Sequence, residues 1–138
     1  MATVLITGGS GLIGTALTQL LLREGFAVRH LRRSAKPDAP VPTFEWDVVK
    51  GFIDPRAVEN VDHIIHLSGA NLAAKRWTAA RRAELHASRA GAADLLFQTA
   101  TAHGTWPRTF ISASGANYYG TYTSDHIFTE DDPHMFEP

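Results

Sequence analysis

The sequence predicts an α/β fold, a three-layer sandwich in which a parallel β-sheet lies between two layers of helices. Short apolar runs rich in Val and Ile alternate along the chain with stretches of helical periodicity. Glycine, proline or polar residues separate these runs, and the 138 residues are enough for one hydrophobic core but not for several domains. Strands that alternate with helices are typical of a parallel sheet covered on both faces.

Five strands and two long helices are predicted. The strands cover residues 3–7, 26–31, 43–46, 62–67 and 108–113. The first helix ends near Gly25, and its apolar stripe consists of Leu12, Ile13, Ala16, Leu17, Leu20 and Leu21. The second helix begins after Thr78, which can cap it, and ends near Gly104. Asp54 can cap a short helix that starts at Pro55, because proline lacks only an N–H group that would be unpaired there.

Right-handed crossovers predict the strand order 3-2-1-4-5, numbered along the chain. Ligands bind such sheets outside the carboxyl ends of the strands, at the point where the strand order reverses. We therefore expect a crevice where the turn after the first strand meets the segment HLSGAN (66–71) after the fourth. We expect the outer edge of the fifth strand to be unpaired, and an uncovered edge makes a homodimer possible.

The composition argues against several classes of function. The net charge is −1 and the basic residues do not line one helical face, so nucleic acid is not an expected partner. The chain has no cysteine, which excludes disulfides and catalytic thiols. No apolar run is long enough to span a bilayer, and the N-terminus lacks a charged leader. We therefore expect a soluble cytoplasmic protein that does not bind membranes.

The segment TGGSGLIG (7–14) places Gly8, Gly11 and Gly14 between a predicted strand and a predicted helix. In such a turn the first glycine allows the tight bend, the second lets the backbone approach a pyrophosphate, and the third lets the helix pack closely on the sheet. The N–H groups at the start of the helix, at Leu12 and Ile13, would then hold the phosphates. The sequence thus predicts a dinucleotide site; the alternative is a glycine turn that binds no ligand.

The residues after the second strand favour NADP(H) over NAD(H). NAD-selective sites carry an acidic residue there that accepts hydrogen bonds from the ribose hydroxyls. Here no acidic residue occurs between Glu24 and Asp38, and the strand leads instead into Arg32 and Arg33. Two guanidinium groups suit a 2′-phosphate, which they can meet with charge-assisted, fork-shaped hydrogen bonds. The alternative is that both arginines are ordinary surface charges.

Several motifs together resemble one known family. They are TGGSGLIG, WD at 46–47, HLSGAN at 66–71, KRWT at 75–78, SR at 88–89 and SASGANYYG at 112–120. This set is similar to the extended short-chain dehydrogenase/reductase superfamily, and more narrowly to its atypical branch of NAD-dependent epimerase/dehydratase-like, nucleoside-diphosphate-sugar-epimerase-like proteins. The resemblance covers most of residues 2–120. It implies an NAD(P)-binding Rossmann domain at residues 1–120, followed at 121–138 by a loop that begins a substrate region of a protein about twice as long.

The resemblance also implies cofactor contacts outside the glycine turn. Arg32 and Arg33 would meet the adenosine phosphate, and Asp47 and Val48 would border the adenine. Leu67, Ser68 and Gly69 would lie along the ribose and pyrophosphate. Glu84 and Arg89 would be further residues on the cofactor side. From the residues alone, Asp47 could equally be a strand-end turn residue, and Glu84 and Arg89 could be solvated helix charges.

Three further features have competing interpretations. His63 and His66 form an HxxH pair, but on a strand their side chains point to opposite faces, so no metal site is expected. Trp77, with the Lys and Arg before it, could form a lid or a substrate contact, or could pack on the core at the entry to the helix. Gly91 within the second helix suggests close packing against the sheet, since glycine costs stability there.

The resemblance places the catalytic question in SASGANYYG. In the superfamily a Ser or Thr near the end of the fifth strand acts with a Tyr-x-x-x-Lys pair, in which lysine lowers the pKa of the tyrosine for proton exchange. Ser114 matches that serine best, with Ser112 next, and Tyr119 is the candidate tyrosine. No lysine follows Lys75 in this chain, so the usual pair is not present in it.

Two functions follow from these expectations. The first is an NADP(H)-dependent oxidoreductase or isomerase that acts on a small molecule such as a sugar nucleotide, with this chain as its cofactor-binding part. The second is a non-catalytic dinucleotide-binding module with a regulatory role, as the cell-division-inhibitor label of some similar proteins suggests. Turnover with sugar nucleotides or carbonyl compounds separates the two.

Overall fold

The computed structural model describes residues 1–135, except for the side chains of residues 116 and 117. In this part of the chain the strands are β1 (Thr3–Thr7), β2 (Ala27–Arg32), β3 (Thr43–Asp47), β4 (Phe52–Ile53), β5 (His63–His66) and β6 (Thr109–Ser112). They form one sheet in the order β4-β3-β2-β1-β5-β6. The five predicted strands all exist in the predicted order, and every pair among them is parallel.

The sheet contains one strand that the sequence did not predict. The two-residue β4 pairs antiparallel with the end of β3, where Trp46 lies opposite Ile53. Because two residues are too short to show a period, the sequence offers no signal for such a strand. It extends the sheet at the edge furthest from β6 and leaves the central order unchanged.

The helices are α1 (Leu12–Arg23), α2 (Ala79–His86) and α3 (Ala92–Ala102), with short 3₁₀ helices at Pro55–Ala57 and Ala116–Tyr119. A π-helical turn at Ala87–Gly91 joins α2 to α3, so the long second helix is not uniformly α-helical. The predicted caps are confirmed: the Thr78 hydroxyl accepts from the Arg81 N–H at 3.1 Å, and the Asp54 carboxylate accepts from the Arg56 N–H at 3.0 Å. No helix within residues 1–135 combines the length and apolar character needed to cross a bilayer.

Alternate residues of β1 belong to two hydrophobic cores on opposite faces of the sheet. Val4 and Ile6 pack in the cluster that includes Leu17 of α1. Leu5 packs in the cluster that includes Leu96 of α3. Because side chains alternate across a strand, the buried β1 joins both helix layers, and the three-layer architecture is confirmed.

Two expectations about helix packing are wrong. The buried face of α1 consists of Gly14, Leu17, Thr18 and Leu21, whereas the other members of the predicted stripe are exposed: Leu12, Ile13, Ala16 and Leu20. Leu12 is 92% exposed and Ile13 68% exposed, because the first turn of α1 follows the carboxyl end of β1 and no strand lies beneath it. A Cβ added at Gly91 would meet only the Cβ of Ala87, at 3.9 Å, so this glycine is not required for close packing on the sheet.

β6 is an edge strand of the sheet in the described part of the chain, as the sequence predicts for the last strand. It pairs only with β5, and Ile111 at its centre is half exposed. The outer edge of β6 therefore exposes an apolar side chain next to unpaired backbone groups.

Candidate functional site

The glycine turn after β1 lies directly on the end of β5. Gly8 has φ +72°, a conformation that favours glycine. A Cβ added at Gly8 would come within 2.9 Å of the Ser68 nitrogen and 3.1 Å of the Leu67 carbonyl carbon. The two segments that the sequence predicts at one crevice are thus in backbone contact.

The other glycines bring α1 close to the turn. A Cβ at Gly14 would lie 2.2 Å from the Gly8 carbonyl oxygen, and the Gly11 N–H donates to that same oxygen at 3.1 Å. Gly11 caps α1 without a side-chain hydrogen bond, and the first turn of the helix contains no acidic residue. The first N–H groups of a helix have no partner within it, so the start of α1, at the exposed Leu12 and Ile13, is open to an anion.

Arg32 and Arg33 lie where β2 ends. Arg32 is half-buried and Arg33 is exposed. Within residues 1–135, neither guanidinium has a carboxylate in salt-bridge range, although Glu45 is the register partner of Arg32 on β3. Both positive charges therefore remain available at the edge of the crevice.

A buried histidine lies under the turn on the α1 face. The Nε2 atom of His30 is 2.8 Å from the Thr18 hydroxyl, which also donates to the Gly14 carbonyl at 2.7 Å. A Cβ at Gly9 would lie 2.4 Å from His30 Nε2, so only glycine leaves room for this ring. Burial, followed by the positive charge of Arg32, holds the pKa of His30 below its ordinary value.

A second buried network lies on the other side of the turn, around the hydroxyl of Thr7. The Nδ1 atom of His66 is 2.7 Å from this hydroxyl. The N–H groups of Leu67 and Ser68 donate to it at 3.2 Å each, and the Ser68 Oγ at 3.0 Å. The network ties the residue before the glycine turn to the first residues after β5.

The predicted adenine border lies at the carboxyl end of β3. Asp47 accepts the Lys50 N–H at 3.0 Å, and its carboxylate also faces the Lys50 ammonium at 3.7 Å. Val48 is partly buried against the core beneath β3. These are the contacts of a strand-end turn residue and its neighbour, and the adenine contact stays a prediction.

The segment after β5 is held by side chains from α2 and the π-helical turn. The Ser88 hydroxyl accepts the Ala70 N–H at 3.0 Å, and Arg89 donates to the Ala70 carbonyl at 3.2 Å. A Cβ at Gly69 would come within 3.0 Å of the Arg89 guanidinium carbon, so this charge lies beside the predicted pyrophosphate segment. Arg89 is therefore a half-buried residue at the crevice rather than a solvated helix charge.

Residues 71–77 form an exposed strap before α2. The buried Arg81 donates to the Asn71 carbonyl at 2.5 Å and pairs with Glu84 at 2.7 Å. The Trp77 indole N–H donates to the Leu72 carbonyl at 2.8 Å, and its ring is 55% exposed, so Trp77 does not pack in the core. Arg81, by its hydrogen bond and charge, holds the pKa of the exposed Glu84 below its ordinary value. Glu84 thus supports the strap, and a cofactor contact for it stays a prediction.

The candidate catalytic residues lie after β6. Ser114 is exposed, one residue past Ala113, whose N–H donates to the His66 carbonyl at 3.0 Å. The Tyr119 hydroxyl donates to the Thr129 carbonyl at 3.1 Å, and its ring stacks on Phe128 with centroids 5.0 Å apart. Since this contact uses the phenolic proton, Tyr119 would have to leave Thr129 before it could exchange that proton with a substrate. Both catalytic assignments stay predictions.

The two histidines of the HxxH pair contact opposite layers, as predicted. His63 lies against Phe26 in an edge contact of 6.3 Å, and His66 lies against Trp46, also at 6.3 Å. No group of three or more His, Asp or Glu side chains among residues 1–135 could hold a metal ion.

Four residues of the site, Thr7, Thr18, His30 and His66, were not predicted to form its hydrogen-bond networks. Each is a polar residue, and all four are buried. A polar side chain at a core position must find a partner, and this was the available signal. What the sequence does not show is which threonine meets which histidine.

Comparisons with known proteins agree with this geometry. The model of the NAD dependent epimerase/dehydratase family matches residues 4–137. The chain belongs to this family. The epimerase family protein Mb2239 of Mycobacterium bovis is 35% identical to it over 131 residues, which are 95% of this chain and 42% of that protein. The chain thus spans about two fifths of the length of the curated relatives it matches.

Two solved structures show the same architecture. The human epimerase family protein SDR39U1 (isoform 2) with NADPH has a TM-score of 0.74 at 29% identity, covering 96% of this chain and 42% of that one. UDP-glucose 4-epimerase from Bifidobacterium longum, in complex with NAD⁺ and UDP, has a TM-score of 0.76 at 26% identity, covering 97% and 43%. The Rossmann fold and the resemblance to the epimerase-like branch are therefore confirmed.

Proposed function

We propose that this chain is the NADP(H)-binding part of an epimerase-like oxidoreductase or isomerase of the short-chain dehydrogenase/reductase superfamily. The observation that carries the proposal is the backbone contact between Gly8 and Ser68, where a Cβ would come within 2.9 Å of the Ser68 nitrogen. It brings the start of α1, which has no side-chain cap, and the end of β5 to one cradle. A pyrophosphate in that cradle would be bound by backbone N–H groups at the positive end of the helix.

The preference for NADP(H) is supported by the charges at the end of β2. Arg32 and Arg33 have no carboxylate in salt-bridge range within residues 1–135, so their charge is not already neutralised. A 2′-phosphate would offer both guanidinium groups a doubly charged partner. The ribose hydroxyls of NAD(H) would meet no acidic residue on this turn, since none occurs between Glu24 and Asp38.

The substrate side is proposed to be a sugar nucleotide. The Bifidobacterium relative is in complex with UDP, and the strap at residues 71–77, which follows β5 in the chain, carries two exposed cations, Lys75 and Arg76. We place the cofactor part at residues 1–120 and the start of the substrate region after it. When bound, the nicotinamide would give or accept a hydride. The chain's own residues would orient it on the Gly8–Ser68 cradle, with Ser114, two residues past the end of β6, as the candidate catalytic hydroxyl.

Fluorescence titration with NADPH and NADH tests this proposal. We expect NADPH to bind the wild-type chain more than tenfold tighter than NADH, and we expect Arg32→Ala or Arg33→Ala to weaken NADPH about tenfold while leaving NADH unchanged. Arg23→Ala, at the far end of α1, is the matched control and should change neither affinity. Equal or tighter binding of NADH by the wild-type chain would remove the NADP(H) assignment.

One observation favours a second candidate, a non-catalytic dinucleotide-binding module. The Tyr119 hydroxyl donates to Thr129, and no lysine follows Lys75 to form a Tyr-x-x-x-Lys pair within this chain. Binding of NADPH without turnover across a panel of sugar nucleotides and carbonyl compounds would favour this module, and turnover would exclude it. The expected cytoplasmic location stays a prediction.

A further inference from the structure

The Thr7 hydroxyl lies at the junction of the glycine turn and β5, and its hydrogen bonds have fixed directions. It accepts from the N–H and from the hydroxyl of Ser68, which together use its two lone pairs, whereas the Leu67 N–H lies 3.2 Å from both this oxygen and the Thr7 carbonyl oxygen, which can accept it. A hydroxyl carries one proton, so the remaining short contact, 2.7 Å to His66 Nδ1, is the one to which Thr7 donates. His66 is therefore the acceptor in this pair.

The surroundings of the His66 ring agree with this direction. The ring is 98% buried, since its exposed fraction is 2%. With Nδ1 acting as acceptor, the neutral ring carries its proton on Nε2, and that atom makes no hydrogen bond with any residue in 1–135. Burial lowers the pKa of His66, and the backbone of Arg89 opposes that shift, as a carbonyl near an N–H would. Burial thus disfavours the charged ring, and the hydrogen bond from Thr7 selects one tautomer of the neutral ring.

We infer that His66 is a positioning residue for the cofactor cradle, acting through Thr7. By accepting the hydrogen bond from the Thr7 hydroxyl, His66 turns the lone pairs of the Thr7 oxygen toward Ser68 and holds the end of β5 against Gly8. This inference rests on the proposed function, because it assumes that the dinucleotide binds at this cradle.

The arrangement depends on the protonation state of His66. A proton on Nδ1 would remove the acceptor, so the Thr7 hydroxyl would have to rotate and the Leu67–Ser68 contacts would loosen. The groups that face the ring are Thr7 from β1, Trp46 from β3, Ser112 as register partner on β6, and Arg89 from the π-helical turn. Of these only Arg89 is charged, and its positive charge opposes protonation of the ring.

Two substitutions of His66 test the role of the acceptor. In His66→Asn, the amide oxygen can occupy the place of Nδ1 and accept the hydrogen bond from the Thr7 hydroxyl. We therefore expect an NADPH affinity within about threefold of wild type. In His66→Leu, no acceptor remains, and we expect NADPH binding to weaken about tenfold. His63→Leu is the matched control, since His63 is on the same strand but contacts Phe26 on the other face; its affinity should not change.

The pH dependence of NADPH binding gives a readout that a purely structural role would not move. We expect wild-type affinity to fall more steeply below pH 6.5, the ordinary histidine value, than the affinity of His66→Asn. The cofactor phosphate and His30 titrate in both proteins, so only the difference between the two profiles is attributed to His66. Equal profiles would overturn the inference, as would wild-type affinity in a folded His66→Leu protein. If His66→Leu does not fold, the pH dependence of NADPH binding to His66→Asn, compared with that of wild type, decides whether the inference holds.

The tautomer is measured independently of any cofactor. Imidazole ¹⁵N chemical shifts of the full chain should show His66 protonated on Nε2 and not on Nδ1, whereas a proton on Nδ1 would overturn the inference. If the wild-type chain bound no NADPH, the proposed function would fail, and this spectrum would still decide how Thr7 and His66 share their proton.

Discussion

On each face of the sheet a threonine hydroxyl meets a buried histidine, and the two pairs use their protons in opposite directions. On the α1 face, Thr18 donates to the Gly14 carbonyl at 2.7 Å, so His30 must donate its Nε2 proton to Thr18. On the opposite face, the Thr7 hydroxyl already accepts from the N–H and the hydroxyl of Ser68, so it donates to His66.

The difference shows that the role of a Thr–His pair depends on what else the hydroxyl contacts. A second proton on His30 would leave its bond to Thr18 intact, because Nε2 donates in both the neutral and the charged ring. A second proton on His66 would break its bond to Thr7, because Nδ1 would lose its lone pair. Each pair lies under the same glycine turn, yet only the Thr7 pair is chemically sensitive to protonation.

The largest expected effect comes from removing the Thr7 hydroxyl. Thr7→Val would leave the Ser68 N–H and His66 Nδ1 without their shared partner, and the Leu67 N–H with the backbone carbonyl of residue 7 alone. We expect a loss of about 3 kcal/mol in the free energy of unfolding. Thr18→Val would orphan only His30 Nε2 and should cost about 1 kcal/mol. Urea unfolding followed by circular dichroism measures both. Equal losses would show that the two pairs do not differ as described.

A smaller effect is expected from crowding the His30 pair. In Gly9→Ala the new Cβ would lie 2.4 Å from His30 Nε2, so the buried ring would have to move off Thr18. We expect a loss of about 2 kcal/mol, which is typical of overpacking. Gly115→Ala is the control, because a Cβ there would meet nothing within 4 Å. A Gly9→Ala protein as stable as the control would mean that the ring has an alternative position.

The smallest effect expected is that of pH. Burial lowers the pKa of both His30 and His66 from 6.5, so the unfolded chain binds protons before the folded one does. This contribution to stability is complete above pH 6.5 and is lost as the pH falls toward the folded values. Urea midpoints between about pH 8 and pH 5 measure the loss. His66→Asn should reduce the pH dependence of the urea midpoint more than His30→Asn does. The reverse order would contradict the described difference between the two Thr–His pairs.

The sheet could be predicted from sequence because its signals are local. The runs at 3–7 and 108–113 are apolar over several residues, and glycine or proline bounds them. The strand Phe52–Ile53 could not, because two residues carry no period. The apolar Leu12 and Ile13 were assigned to the wrong face of their helix, since periodicity identifies apolar residues but does not tell where the sheet beneath them ends.

The cofactor side of the site was also predictable, because glycine spacing in TGGSGLIG is a backbone requirement. The Gly8 contact with Ser68 follows from it together with the strand order. The partners of His30 and His66 were not predictable, because they lie on different strands or helices and depend on register. In the same way, nothing in the local sequence shows that Tyr119 donates to Thr129 and stacks on Phe128.

The Thr7–His66 hydrogen bond joins residues 59 positions apart in the chain. A peptide with the glycine turn and α1 alone would therefore lack the cradle, since half of it arrives only when β5 docks beside β1. The entropy of closing such a long loop must be overcome before the site exists. A dinucleotide would accordingly bind only late folding states, and its concentration would shift the unfolding equilibrium of the central strands by mass action.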